Sequence, residues 1–192
     1  MHYRITALAA LTAMTLHLNA QSLATPHKAV TEGNPISSCV FCADPTALVY
    51  QDRLYVYGTN DNQQYLVNGK KGSNGYGNIK SLVIFSTDDM LNWTFHGTID
   101  VGKVCGSWCG NSWAPSAVWR QTEDGKDEFF VYFANGANNV GVLKGSSPTG
   151  PFKSPRSSAL IQHGMAGVDP CNWLFDPGVV IDDNGTGWIA FG

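Results

Sequence analysis

Charge is scarce in this chain. Only 14% of its 192 residues are charged, 12 Lys or Arg against 15 Asp or Glu, for a net charge of −3. With no basic block to neutralise a phosphate backbone, the composition argues against nucleic acid as a partner. Long apolar stretches are equally rare. The one clear run, Ile5 to Leu18, is shorter than the roughly 20 apolar residues a membrane-crossing helix needs. Long helical faces are few as well. Hydrophobic residues at 43% and aromatics at 11% are nevertheless too many for a disordered chain. Turn formers abound instead, with 21 Gly and 9 Pro. This is the composition of a turn-rich, all-β protein.

The N-terminus reads as an address. His2 and Arg4 precede the apolar run, and Ala20 or Ala24 follows it at a small-residue cleavage position, the pattern of a secretory signal over residues 1–20. Residues 21–33 are polar and Pro-containing and read as a tail, which leaves 34–192 as the folded domain. Export makes the five cysteines candidates for disulfides. Cys39 and Cys42 form one close pair, Cys105 and Cys109 another, and Cys171 stands apart. Zinc is the rival reading for Cys39 and Cys42, but no second Cys or His pair has the spacing to complete a site. Disulfides are therefore favoured, with Cys105–Cys109 as the candidate bridge. Asn92-Trp93-Thr94 and Asn184-Gly185-Thr186 are glycosylation sequons beside turn residues.

Three segments share one grammar. Asp44-Pro-Thr-Ala-Leu-Val-Tyr50 leads through a turn into Leu54-Tyr-Val-Tyr57. Ala114-Pro-Ser-Ala-Val-Trp119 leads through 121–128 into Phe129-Phe-Val-Tyr-Phe133. Asp176-Pro-Gly-Val-Val-Ile181 leads through Asp182-Asp-Asn-Gly185 into Trp188-Ile-Ala-Phe191. Each unit is an X-Pro dipeptide, an apolar strand, a hairpin turn and a more aromatic strand. Proline at that point cannot donate to a ladder and favours an extended predecessor, as a strand entrance requires. The prolines at 45, 115 and 177 lie 70 and 62 residues apart, room for one four-stranded propeller blade with generous loops. Val83-Ile-Phe85 with Asn92-Trp-Thr-Phe95 reads as the outer hairpin of the first blade. In the second, Val140-Gly-Val-Leu143 runs through 146–151 to a return at Phe152. The X-Pro entrances of successive blades would then converge at one mouth of a central channel.

These stretches resemble glycoside hydrolase family 43, the five-bladed β-propeller glycosidases of plant cell-wall arabinose and xylose polymers. The likeness rests on Ala43-Asp-Pro-Thr-Ala-Leu-Val-Tyr50, Asn111-Ser-Trp-Ala-Pro-Ser116, Ser146-Ser-Pro-Thr-Gly-Pro-Phe152 and Phe175-Asp-Pro-Gly-Val-Val-Ile-Asp-Asp-Asn-Gly185, supported by Ser86-Thr-Asp-Asp-Met-Leu-Asn-Trp93. It implies a secreted inverting hydrolase acting on arabinoxylan, arabinan or xylo-oligosaccharides, without an organic cofactor. It also implies roles: Asp44 as the general base that activates water, and Asp176 as the residue that keeps the acid's pKa raised. A Glu on a fourth blade is the family's general acid, and the present chain has no counterpart. About two and a half of five blades are accounted for, so the expectation is a fragment inactive alone. The alternative is a catalytically inactive, carbohydrate-binding propeller.

Individual side chains are weighed against blander roles. Trp113, just before Ala114-Pro115, is assigned to sugar contact at the channel mouth, and Asp61, with Asn60, to polar contact with sugar hydroxyls. Trp108 and Trp173 are loop tryptophans that could shape further subsites. Asp169-Pro170 has the dipeptide but no strand–turn–strand after it and reads as a loop. Asp182 and Asp183 read as turn formers, since a calcium loop would need ligands the sequence does not supply at loop spacing. Glu32, Glu123 and Glu128 are placed in the tail or in an inter-strand turn. His96 and His163 have no partner at metal spacing and are read as non-ligands.

Overall fold

A computed structural model describes residues 36–38, 40–63 and 75–192. The expected signal segment and tail, and Cys39, lie outside the described residues. Ten strands organise the described residues. β1 (Ala43–Tyr50), β2 (Arg53–Thr59), β3 (Ser81–Thr87) and β4 (Thr94–Asp100) form one antiparallel sheet in sequence order. β5 (Pro115–Gln121), β6 (Asp127–Ala134), β7 (Asn139–Gly145) and the two-residue β8 (Ile161–Gln162) form a second, and β9 (Gly178–Ile181) pairs with β10 (Gly187–Ala190). Among the described residues, helix is limited to residues 62–63, a 3-10 turn at Tyr76–Asn78 and a five-residue α1 (Val101–Cys105). The first strands touch in succession, β1 against β5 and β5 against β9. This is part of a β-propeller, with two four-stranded blades and the inner hairpin of a third.

Local sequence explains the hairpins. Gln51 and Asp52 both adopt positive φ, 49° and 58°, so the β1–β2 turn is of the kind that matches the right-handed twist of its strands, even without glycine. In the β9–β10 turn, Asp182 Oδ1 accepts from Asn184 N and Thr186 N, and Gly185 takes φ 78°. Asp182 is thus a turn former. The sheets are held face to face by a dry core of Tyr57, Leu82, Ile84, Phe129, Phe133 and Leu143, all almost without exposure. A second cluster, Val140, Ile161, Val168 and Leu174, joins the second blade to the third with Ile189 and Phe191 against it. Two tyrosines bind blade to blade. Buried Tyr57 donates its hydroxyl to Pro148 O at 2.6 Å, and Tyr50 donates to Asp127 Oδ2 at 2.6 Å while its ring meets Phe129 edge-on at 4.8 Å.

Four details differ from the sequence reading. The outermost strand of the second blade does not return continuously at Phe152. Lys144 and Lys153 form an isolated bridge, and the ladder resumes only at Ile161–Gln162 against Asn139–Val140. Glu128 is not in a turn; it sits on β6 and pairs with Arg120 and Lys144 from the neighbouring strands. Cys105 and Cys109 are free thiols rather than bridged, and Cys109 Sγ donates to Asn111 O at 3.5 Å. Finally, the start of α1 is capped by Asp100, whose Oδ1 accepts from Lys103 N. This cap makes a short helix of a stretch to which the sequence assigned no element.

Candidate functional site

The entrances of the first and third blades share an unusual backbone. Asp44, near the start of β1, and Asp176, two residues before β9, have φ of 46° and 47°. A residue preceding proline ordinarily lies in the extended region, and a non-glycine left-handed conformation costs of order 1–3 kcal/mol. Ala114, at the same place in the second unit, is not among the residues with positive φ. Strain therefore accompanies the acid, not the X-Pro dipeptide. At Asp44 it coincides with a register break between Ala43 and Thr46 in the β1–β2 ladder, which turns the side chain out of the pleat. Asp176 is held from the second blade: Leu174 N donates to Ala137 O at 3.0 Å, and Val179 N to Ser116 Oγ at 3.0 Å.

Both aspartates line one cleft of about 590 Å3, together with Asp61, Trp113, Tyr76 and Trp173. All four site residues named from the sequence thus meet in one place, although 132 positions separate the first from the last. Two aromatic pairs frame the cleft. Tyr76 and Trp113 meet edge to face at 5.8 Å, and Trp113 Nε1 donates to Tyr76 O at 3.1 Å. Trp173 and Phe175 lie 5.7 Å apart, with Trp173 59% exposed and so open to a ligand. Apolar ring faces beside carboxylates suit a sugar, which presents C–H on one side and hydroxyls at its rim.

The carboxylates sense one another. The pKa of Asp176 is raised, first by burial and then by the negative charge of Asp44. In Asp44→Asn the charge contribution disappears while burial persists. The Asp176 pKa should therefore fall but stay above that of a free aspartate, as carbon-detected NMR titration of its carboxyl would show. An unchanged pKa would mean the two groups do not share a field.

Other sequence candidates fall elsewhere. Trp108 packs on the core and does not line the cleft, and Asn60 donates to Ser81 Oγ at 2.9 Å in a structural contact. Asp169 accepts from Gly164 N within a turn. His96 bonds Ser86 Oγ at 2.6 Å. Glu123 and Glu128 are remote from the cleft, and Glu32 lies outside the described residues. A larger groove of about 780 Å3 runs along the outer face of the second blade, lined by the ion-paired Glu128 and Lys144. Tyr76 and Ser116 escaped the sequence reading. Ser116 belongs to a quoted motif, but its bond to the third blade spans 63 residues. Tyr76 lies in a Gly- and Asn-rich segment whose only local signal is an aromatic among turn formers.

The comparisons agree with this geometry. The family model described as glycosyl hydrolases family 43 matches residues 33–192. The chain is 39% identical over 173 residues to an arabinoxylan arabinofuranohydrolase of Bacillus subtilis (strain 168), covering 86% of the chain and 34% of that protein. It is 40% identical over 167 residues to the arabinoxylan arabinofuranohydrolase of Paenibacillus polymyxa, covering 83% of the chain and 26% of that protein. The crystal structure of a family 43 arabinoxylan arabinofuranohydrolase from Bacillus subtilis in complex with cellotetraose superposes with a TM-score of 0.77 at 39% identity, over 83% of this chain and 34% of that one. The chain thus spans about a third or less of the length of these relatives. With a blade repeat, an acid pair on strained entrances and a family match over residues 33–192, the chain belongs to glycosyl hydrolase family 43.

Proposed function

We propose that this chain carries the base side of an inverting glycosidase site that removes arabinofuranose or xylose from arabinoxylan, arabinan or their oligosaccharides outside the cell. The observation that carries the reading is the meeting of Asp44 and Asp176 in a single cleft framed by aromatic faces. In this scheme Asp44 takes a proton from water as the water oxygen bonds to the anomeric carbon. The bond to the leaving oxygen breaks on the opposite face, and that oxygen takes a proton from an acid about 6.5–9.5 Å from the base. Asp176 adds negative charge near that acid and so keeps its proton in place until it is needed. None of the cleft-lining residues is a glutamate. The reading assigns the proton donor to a carboxyl outside the described residues, and the 192-residue chain alone is expected to bind sugar without releasing it. Extracellular action rests on the signal pattern at residues 1–20, and substrate class on the relatives' arabinoxylan activity.

Proton NMR of a fresh reaction by the catalytically complete protein is the test. The first reducing sugar released should carry the anomeric configuration opposite to that of the bond cleaved. Release with retention would overturn the mechanism, because Asp44 would then act as a nucleophile. Sugar release by the 192-residue chain itself would overturn the placement of the acid.

A further inference from the structure

The aromatic wall of the cleft is held by side chains that never reach it. Asn135 follows β6 and is 8% exposed, and it does not line the cleft. Its Oδ1 accepts from Gly110 N at 2.9 Å and Asn111 N at 2.8 Å. Its Nδ2 donates to Trp108 O at 3.2 Å and Asn139 Oδ1 at 3.1 Å. The carboxamide is thus saturated, with both donor hydrogens and two acceptor bonds in use. Asn111 carries the hold across. Its Nδ2 faces three carbonyls of the segment that bears Tyr76, those of Tyr76 at 3.3 Å, Gly77 at 3.1 Å and Ile79 at 3.1 Å. Ser112 N donates to Ile79 O at 3.0 Å, and Trp113 N to Ala134 O at 2.8 Å. The result is a relay from the second blade, through the 108–113 loop, to the first blade.

From this geometry we infer that Asn135, acting through Asn111, is a positioning residue that fixes the Tyr76–Trp113 wall and so sets the width of the sugar cleft. The inference deepens the proposed function and rests on it for the nature of the ligand, but the mechanical part stands on its own. Alternatives to Asn are poor. Aspartate would set a carboxylate against Trp108 O and Asn139 Oδ1, and alanine would leave the backbone amides of Gly110 and Asn111 without their acceptor.

The test uses the full 192-residue chain. In Asn135→Ala the indole N–H signal of Trp113 should shift and broaden in a nitrogen–proton correlation spectrum, as its bond to Tyr76 O loosens. The indoles of Trp119 and Trp188, which donate to Val49 O and Asp182 Oδ2, should stay in place. Binding of arabinosylated xylotetraose, measured by calorimetry, should weaken roughly tenfold, within the about hundredfold cost of displacing a contact by an ångström. Asn111→Ala should do the same, and the double variant should lose little more than either, because both act in one chain. Asn111→Ala alone also serves as the working variant should Asn135→Ala not fold. An unmoved Trp113 signal, or fully additive losses, would overturn the inference. A shifted Trp113 signal in a chain that binds no sugar even as wild type would uphold the relay and count against the sugar reading instead.

Discussion

Asp44→Asn in the catalytically complete protein is expected to lower kcat on an arabinoxylan oligosaccharide by about 10²–10⁴-fold, the range of a lost general base, with little change in KM. Asparagine is the informative replacement for a conformational reason. Asp44 sits at φ 46°, and after glycine asparagine is among the residues that tolerate the left-handed region best. The variant therefore keeps the strained entrance and the ability to hold a water by its oxygen, and removes the negative charge and with it the capacity to take a proton. Alanine, which tolerates that region poorly, would mix a backbone change with loss of chemistry. Circular dichroism and thermal unfolding should be close to wild type. A variant with undiminished kcat would remove Asp44 as the base, whatever its place in the cleft.

The largest stability effect is expected behind the cleft. Phe133 has no exposure and lies in register with Pro115 on one side and Gly141 on the other. Its ring occupies the space a side chain at 141 would need: a methyl there would stand 2.4 Å from Phe133 Cζ and 2.6 Å from Cε1. Phe133→Ala should cost about 3–5 kcal/mol, because it deletes a buried ring and leaves a void in a close-packed core. Gly141→Ala should cost about 1–3 kcal/mol by overpacking, since the ring is enclosed and has nowhere to go. Combining Gly141→Ala with Phe133→Leu should cost less than the two changes summed, as leucine lacks the offending ring edge. Urea denaturation measures all three. Strict additivity, or a neutral Gly141→Ala, would show that the ring is mobile. Next in the chain, Ala134 O accepts from Trp113 N, so loss of Phe133 should also loosen the cleft.

The fold was legible where local chemistry repeats. X-Pro entrances, alternating apolar strands and turn residues at 51–52, 124–125 and 182–185 mark the hairpins, because each signal lies within a few residues of its effect. The outer edge of the second blade was not, since a two-residue strand such as Ile161–Gln162 has no periodicity to read. Glu128 was assigned to a turn because its partners Arg120 and Lys144 come from adjacent strands, and only the register brings them near. Thiol spacing at Cys105 and Cys109 could not distinguish contact from a covalent bond. At the site, Asp44, Asp61, Trp113 and Asp176 could be named because each lies in or beside a recognisable motif. Asn135 carried no such mark: its bonds to Gly110 and Asn111 reach back 25 and 24 residues, and an asparagine after a strand looks like any turn residue.

The left-handed entrances at Asp44 and Asp176 have an evolutionary corollary. At the X-Pro entrances an unfavourable torsion occurs twice, and only in the units whose first side chain is acidic. A more robust relative is therefore within reach by small changes at these two places, and it would be chemically silent. Selection for durability alone would favour such a relative, so under the proposed function the two contortions are what it costs to place both acids in the cleft.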